Sequence, residues 1–141
     1  MRIYAKAFLC PKGAPSEEFK RRLANLNPGS LVQTAAMGTS GNELFLELLA
    51  AQTLQAQHSG GLLANKPEID FLLRLAATTQ IAKAIKEAGA RPGEPYVMVV
   101  AGRKPVRLPS GLGGAELKRR VLTTSELGKV ERAALLNAQR A

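Results

Sequence analysis

The residues that could do chemistry are few in this chain of 141 residues. His58 is the only histidine and Cys10 the only cysteine. The chain can therefore form no internal disulfide and offers no Cys and His spacing typical of a metal site. His58 is predicted near the end of a long helix, where a cation is favourable, and Cys10 has no histidine near it in sequence. The sequence therefore predicts no catalytic residue, no metal and no cofactor.

Two further patterns are weak signals of chemistry. The glycines of Ser110-Gly111-Leu112-Gly113-Gly114 suggest a phosphate loop, but no Lys-Ser/Thr pair follows and no clear strand immediately precedes them. Glu68 and Asp70 could share one face of a strand, but nothing pairs them with a nucleophile. A small hydrolase or transferase that uses Cys10 or His58 is kept as an alternative of a different class.

The charge of the chain is the first informative feature. Twenty Lys and Arg residues oppose eleven Asp and Glu, which gives a net charge of +9. The segment from Arg103 to Arg132 is strongly basic, and Lys20-Arg21-Arg22 forms a second cluster. A balance of this kind favours a polyanionic partner such as RNA, DNA or an acidic protein surface. The alternative is a basic surface that serves solubility alone.

The length fits one domain over residues 1–141, with enough chain to bury its own core. The amino-terminal sequence MRIYAKAFLC is a poor signal peptide because Lys6 interrupts its short apolar run. No stretch approaches the roughly 20 apolar residues that cross a bilayer. A cytoplasmic location is expected.

The first half of the chain alternates strands and helices. Residues 2–9 and 31–37 have the patterns of strands, and Ser16 is placed to begin a helix that ends before Asn27-Pro28-Gly29. The capping-box spacing of Ser40 and Glu43 predicts a second helix, which runs to about His58 before Gly60-Gly61.

Residues 68–77 are compatible with two structures. Ile69, Phe71, Leu73 and Leu75 recur with the period of a strand, whereas the apolar run at 72–76 also suits a helix. We predict a strand here, because Thr78-Thr79 then offers a cap for a helix over 81–88. In that helix one face holds Ile81, Ala84, Ile85 and Ala88, and the other holds Lys83, Lys86 and Glu87.

The carboxyl-terminal third begins with the clearest strand, over 96–100, and continues into a basic loop. We predict a short helix around 116–120, a short strand at 121–122 and a last helix over 124–139. The spacing of Thr123 and Glu126 is that of a capping box, and the last helix is predicted to turn Leu127, Val130 and Ala134 inward. The fold class that follows is α/β: a single domain with a mixed β-sheet packed with helices.

The middle of the chain resembles a known family. Residues 42–101 hold a helix with Leu49-Ala50-Ala51, then Glu68 to Leu75, the polar link Thr78-Thr79-Gln80 and the segment Ile81 to Gly89. In this order and spacing they are similar to the smallest accessory subunit of the KEOPS complex, whose human member is the p53-related protein kinase binding protein. The tail from Leu127 to Ala138 resembles that family's terminal helix. Many archaeal relatives have Gly-Thr-Arg-Gln-Ile where this chain has Ala77-Thr78-Thr79-Gln80-Ile81, so the Gly and the Arg are missing here.

The resemblance implies a function without catalysis. KEOPS installs threonylcarbamoyl on an adenosine of tRNA, and its smallest subunit binds the small atypical kinase/ATPase subunit of the complex. Archaeal members also hold the 3′ CCA end of tRNA. The terminal helix is that family's kinase-binding surface, so the implied partner surface is Leu135, Leu136 and Asn137. The tRNA-binding residues that we expect are Lys66, Arg74, Thr79, Gln80 and Lys83. A general basic RNA-binding α/β protein without a kinase partner is the alternative function.

Overall fold

The computed structural model describes residues 2–10, 16–39, 41–109 and 115–140. Its elements are β1 (Tyr4–Cys10), α1 (Ser16–Leu26), β2 (Leu31–Ala36), a 3-10 turn (Met37–Thr39), α2 (Glu43–Ser59), α3 (Pro67–Ala76), α4 (Ile81–Ala88), β3 (Tyr96–Gly102), β4 (Ala115–Glu116) and α5 (Thr124–Arg140). The prediction of a single α/β domain with helices packed on a sheet is confirmed.

The four strands form one sheet in the order β2-β3-β1-β4. β3 pairs antiparallel with both β1 and β2, so those two strands run in the same direction with β3 between them. Each described pairing in the sheet is antiparallel.

β3 is apolar along its whole length because helices cover both faces of the sheet. Val97, Val99 and Ala101 join the core under α2, whereas Met98 and Val100 join a second core under α1. All seven residues of β3 are buried. The continuous apolar run is therefore that of a sheet interior, as predicted.

Residues 68–75 form a helix, so the predicted strand is wrong. Five consecutive residues of α3, from Asp70 to Arg74, are buried, because the helix lies between other elements on almost every side. Pro67 stands at the start of the helix, a position that suits its fixed φ and missing N–H. In a helix that is buried on almost every side, apolar residues also occur at alternate positions, so a period of two does not indicate a strand there.

Two smaller predictions are also wrong, and one lies outside the described residues. Residues 117–120 form no helix, and 121–122 form no strand. Instead Asn42 fixes this segment, because its side chain exchanges hydrogen bonds of 3.0 and 3.2 Å with the backbone of Arg120. Asn42 also caps α2 by accepting from the Leu44 N–H. The predicted cap, Ser40, is the residue that lies outside the described ranges.

Asn27 holds the basic loop after β3 in the same way. Its amide donates to the Arg107 carbonyl at 2.9 Å and accepts from the Arg107 N–H at 2.7 Å. The same amide nitrogen donates to the Leu23 carbonyl at 2.9 Å, so the loop is tied to the end of α1. The segment from Gly102 to Arg107 is therefore anchored at both ends.

Candidate functional site

Arg74 was expected to contact RNA, and this expectation is wrong. Its side chain is 2% exposed and Asp70, one turn earlier on α3, is fully buried. The guanidinium donates from Nε to Asp70 Oδ1 at 2.6 Å and from Nη2 to Oδ2 at 3.1 Å. This bidentate pair leaves Arg74 inside the protein as a structural residue.

The Asp70–Arg74 pair joins three helices and a loop. Asp70 also accepts from Thr53 Oγ1 of α2 at 2.5 Å and from the Leu63 N–H at 2.9 Å. Arg74 donates to the Ala133 carbonyl at 3.2 Å and to Asn137 Oδ1 at 3.0 Å, both on α5. These bonds fix how α5 lies against α2 and α3.

The other residues predicted to bind tRNA are exposed. Thr79, Gln80 and Lys83 lie in the α3–α4 link and the first turn of α4, and Lys66 stands just before α3. Neither Thr78 nor Thr79 is the residue that caps α4: Gln80 holds that position and makes no side-chain capping bond. Thr78 Oγ1 accepts from the Gln80 N–H at 3.2 Å, but the Gln80 side chain offers no acceptor to the first N–H groups of α4, an arrangement that suits an anion.

The α3–α4 link begins at an unusual backbone position. Ala77 ends α3 in the left-handed conformation, with φ of 53°, and it is the one non-glycine residue of the described chain with positive φ. This conformation favours glycine because an L side chain is crowded there. It falls on the position at which the resembling family's motif carries Gly.

The three residues expected to bind the kinase have different surroundings. Leu135 is 60% exposed, whereas Leu136 is 1% exposed and packs in a core with Leu73 and Ala84. Asn137 donates from Nδ2 to the Gly61 carbonyl and accepts from Arg74. Leu136 is therefore wrong as a docking residue, because the core already covers it, and the Asn137 side chain is engaged within the chain.

The face of α5 that lies toward the core also differs from the prediction. Ala133 and Leu136 are buried, while Leu127 is 48% exposed and Ala134 is exposed. Leu127, Val130 and Ala134 do share one side of the helix, but only Val130 is partly buried against the core, whereas Leu127 and Ala134 border solvent. The spacing of apolar residues did not predict this core face, because part of it is held by polar contacts: Arg74 donates to the Ala133 carbonyl and to Asn137 Oδ1.

A groove of about 460 Å³ runs between α5 and α2 beside this stripe. Val130 and Ala134 line one wall, and Leu48 and Ala51 line the other. Polar side chains at its base include Gln52, Arg74 and Asn137. An apolar groove with a polar base can accept side chains of a partner protein.

The residues with potential for covalent chemistry are not brought together. Cys10 is fully buried, and burial raises the pKa of its thiol. Burial and the neighbouring Cys10 raise the pKa of Tyr96, its cross-strand partner, to about 12. His58 is exposed at the end of α2. The raised pKa argues against Cys10 as a nucleophile, because the thiolate is the reactive form.

Neither a metal site nor a membrane span is found in the part of the chain that the structure describes. No group of three His, Cys, Asp or Glu side chains there is placed to hold a metal ion. None of its helices has the length and the apolar character that crossing a bilayer requires.

Comparison with known proteins gives no match: no protein-family model fits the chain, and no curated protein is significantly similar to it.

Proposed function

We propose that this chain is a non-catalytic subunit of a KEOPS-type tRNA-modifying complex in the cytoplasm. In this proposal it binds the small atypical kinase/ATPase subunit through α5, and it binds the 3′ CCA end of tRNA to recruit the substrate. The observation that carries the proposal is the apolar side of α5 that remains open beside the α2 groove. The resemblance of residues 42–101 supplies the identity of the partners.

The conformation of Ala77 supports the resemblance. The family's motif has Gly before Thr, and this chain has a residue with φ of 53° at the same place. A position that requires a left-handed backbone is where glycine is selected.

The kinase-binding surface is proposed to consist of Leu127, Ala134 and Leu135, next to the groove. Leu127 and Leu135 are 48% and 60% exposed, so each presents apolar area that binding would bury. Burial of apolar side chains stabilises an interface by about 25 cal/mol per Å² before the costs of association. Relative to the expected set, Leu135 is kept, and Leu127 and Ala134 replace the buried Leu136.

The proposed tRNA-binding residues are Thr79, Gln80 and Lys83 around the start of α4, together with Lys66 at the opposite end of α3, about 15 Å away along that helix. All four side chains are exposed, and Lys66 and Lys83 bring positive charge to a chain with net charge +9. The first turn of α4 offers backbone N–H groups to a phosphate. Single-stranded RNA ends are held by such contacts together with stacking and hydrogen bonds to base edges.

The kinase contact is tested by capture of this chain on an immobilised atypical kinase/ATPase subunit. We expect Leu135→Glu to abolish capture and to leave the far-UV circular dichroism spectrum unchanged. The matched control is Ile85→Glu on α4, where the side chain is 50% exposed. Capture of Leu135→Glu at the level of the control would refute the assignment.

The tRNA contact is tested by comparing intact tRNA with the same tRNA lacking its CCA end. We expect a large decrease in affinity on removal of that end. Equal affinity would favour the alternative, a general RNA-binding protein.

A further inference from the structure

A second basic site lies away from the α3–α4 link, in a pocket at the end of the sheet where β3 finishes. Its volume is about 240 Å³, and it is bordered by the turn before β2, the last turn of α2 and the residues after β3. His58, Arg103 and Lys104 bring positive or hydrogen-bonding groups to it, and Ser30 lies on its opposite side. These residues are distant in sequence, so only the fold brings them together.

Among the residues that the structure describes, no acidic side chain lines the pocket. Its lining consists of Pro28, Gly29, Ser30, Leu54, Gln57, His58, Gly102, Arg103 and Lys104. The side chains of Arg103, Lys104 and His58 are exposed, and no carboxylate pairs with them in the described ranges of the chain. Cations that have no internal partner are available to an external anion.

Charged residues of opposite sign lie near the two ends of the sheet. Tyr4 at the start of β1 pairs with Gly102, and the Arg2 guanidinium stacks over the Tyr4 ring at 4.7 Å, which adds another cation near this end of the sheet. At the opposite end Glu94 stands just before β3 and Glu43 follows β2. Glu94 and Glu43 therefore lie away from the basic end of the sheet.

The backbone around the pocket is held in place before any ligand binds. Gly29 turns the chain with φ of 80°, and Asn27 anchors the loop through Arg107. Gly102 passes so close to Ser30 that a Cβ at this glycine would collide with the Ser30 hydroxyl oxygen. A site whose backbone is fixed loses less entropy on binding.

We propose that this pocket binds backbone phosphates of the tRNA strand, at a point other than the CCA end. The inference rests on the proposed tRNA-binding function and adds a second contact to it. Arg103 and Lys104 neutralise the phosphate oxygens, and the Ser30 hydroxyl and the His58 ring offer further hydrogen bonds. An RNA strand fits better than an acidic protein segment, because a compact cluster of cations with hydroxyl and imidazole donors suits a tetrahedral phosphate.

The test is the tRNA affinity of the double variant Arg103→Ala/Lys104→Ala, measured over a range of salt concentrations. Each phosphate contact steepens the plot of log affinity against log salt concentration by about 0.7–0.9. At ~0.15 M salt, one such contact therefore raises the affinity about four- to sixfold relative to its effect at 1 M salt. Removal of both cations should reduce the affinity roughly 15- to 30-fold and the slope by about 1.4–1.8. The matched control is Arg91→Ala/Lys118→Ala, which removes two exposed cations elsewhere and should change the affinity by less than about threefold.

The same variants separate this inference from the proposed function. The decrease in affinity caused by Arg103→Ala/Lys104→Ala should be equal for intact tRNA and for tRNA without its CCA end, and capture by the kinase subunit should be unchanged. An affinity equal to that of the control would overturn the pocket assignment and leave the CCA contact standing. Loss of kinase capture with normal tRNA affinity would assign the pocket to protein and also overturn it. Absence of any tRNA binding by the wild-type chain would overturn both.

Discussion

The buried Asp70–Arg74 pair gives the sharpest prediction for stability. Asp70→Asn preserves the shape of the side chain and removes its charge. The carboxylate accepts four hydrogen bonds, from Thr53, from the Leu63 N–H and twice from Arg74. An amide brings its own N–H groups, so at least one oxygen acceptor is replaced by a donor that faces another donor. The Arg74 charge is then left 2% exposed without a counter-ion.

Breaking a buried ion pair by removing one partner costs about 3–5 kcal/mol. The total free energy of unfolding of a domain is about 5–15 kcal/mol, so Asp70→Asn should remove a large fraction of it. With a urea m-value of about 2 kcal/mol per M, the unfolding midpoint falls by about 1.5–2.5 M. The chain has no tryptophan, so the transition is followed by far-UV circular dichroism.

The matched control is Glu94→Gln, the same chemical change in a surface pair. Arg91 and Glu94 are 3.9 Å apart and more than half exposed, so this variant should change the free energy of unfolding by less than about 1 kcal/mol. Asp70→Leu/Arg74→Met should not recover wild-type stability, because the Leu63 N–H is then buried without a partner, at about 1–3 kcal/mol. A midpoint for Asp70→Asn within about 0.5 M of that for Glu94→Gln, the range allowed to the control, would refute the role given to the pair.

Three further predictions follow from the backbone and the core. Ala77→Gly should raise the free energy of unfolding by about 0.5–1 kcal/mol because it relieves the left-handed conformation, whereas Ala76→Gly in the last helical turn should lower it by about 1 kcal/mol; urea unfolding of both variants tests this opposite sign. The pKa of Tyr96 is raised to about 12 in the folded chain from an ordinary 10, so its contribution to stability is present below pH 10 and is lost as the pH rises toward 12. Over that range the free energy of unfolding should fall less steeply with pH for Tyr96→Phe than for the wild type, and an equal slope would contradict this prediction. Gly102→Ala should lower the free energy of unfolding by about 1–3 kcal/mol, because the new methyl group meets the Ser30 hydroxyl. Adding Ser30→Ala should recover part of that loss in a double-mutant cycle, and strictly additive effects would contradict the contact.

The sequence predicts most of the fold where local signals agree with tertiary packing. The helix over Glu43–Ser59 ends at Gly60, which takes φ of 77° as a terminating glycine should. Thr123 and Glu126 form the predicted capping box, with reciprocal hydrogen bonds of 3.1 and 3.0 Å. In both cases the signal lies in neighbouring residues, so it is readable without knowledge of what packs against the helix.

The α3 prediction failed because burial on all sides removes the helical period of apolar residues. Two features of the sequence distinguish the helix from the strand here. Asp70 and Arg74 are four residues apart, a spacing that makes opposite charges neighbours on a helix and places them about 13 Å apart on a strand. An oppositely charged pair inside an otherwise apolar run needs each partner to satisfy the other, and Pro67 before it favours a helix start. Together these two features favoured the helix.

The candidate sites were less predictable, because strand register and helix orientation bring their residues together. His58 and Arg103 become neighbours only when α2 ends beside the last residue of β3, which no local pattern records. The exposed residues of the α3–α4 link were recognised through resemblance, whereas the burial of Arg74 required the whole arrangement of three helices.

The buried pair also explains why α5 has an apolar side to offer a partner. A helix that docks by apolar contacts alone would use its longest apolar stripe, which here includes Leu127 and Val130. In α5 the inner side is instead held by Arg74, through the Ala133 carbonyl and Asn137, and by the buried Leu136. Polar anchoring fixes the rotation of α5 about its axis, and the stripe is consequently turned toward the groove. The pair thus connects stability to the proposed partner surface: a variant such as Asp70→Asn that loosens α5 should weaken kinase capture without altering any residue of that surface.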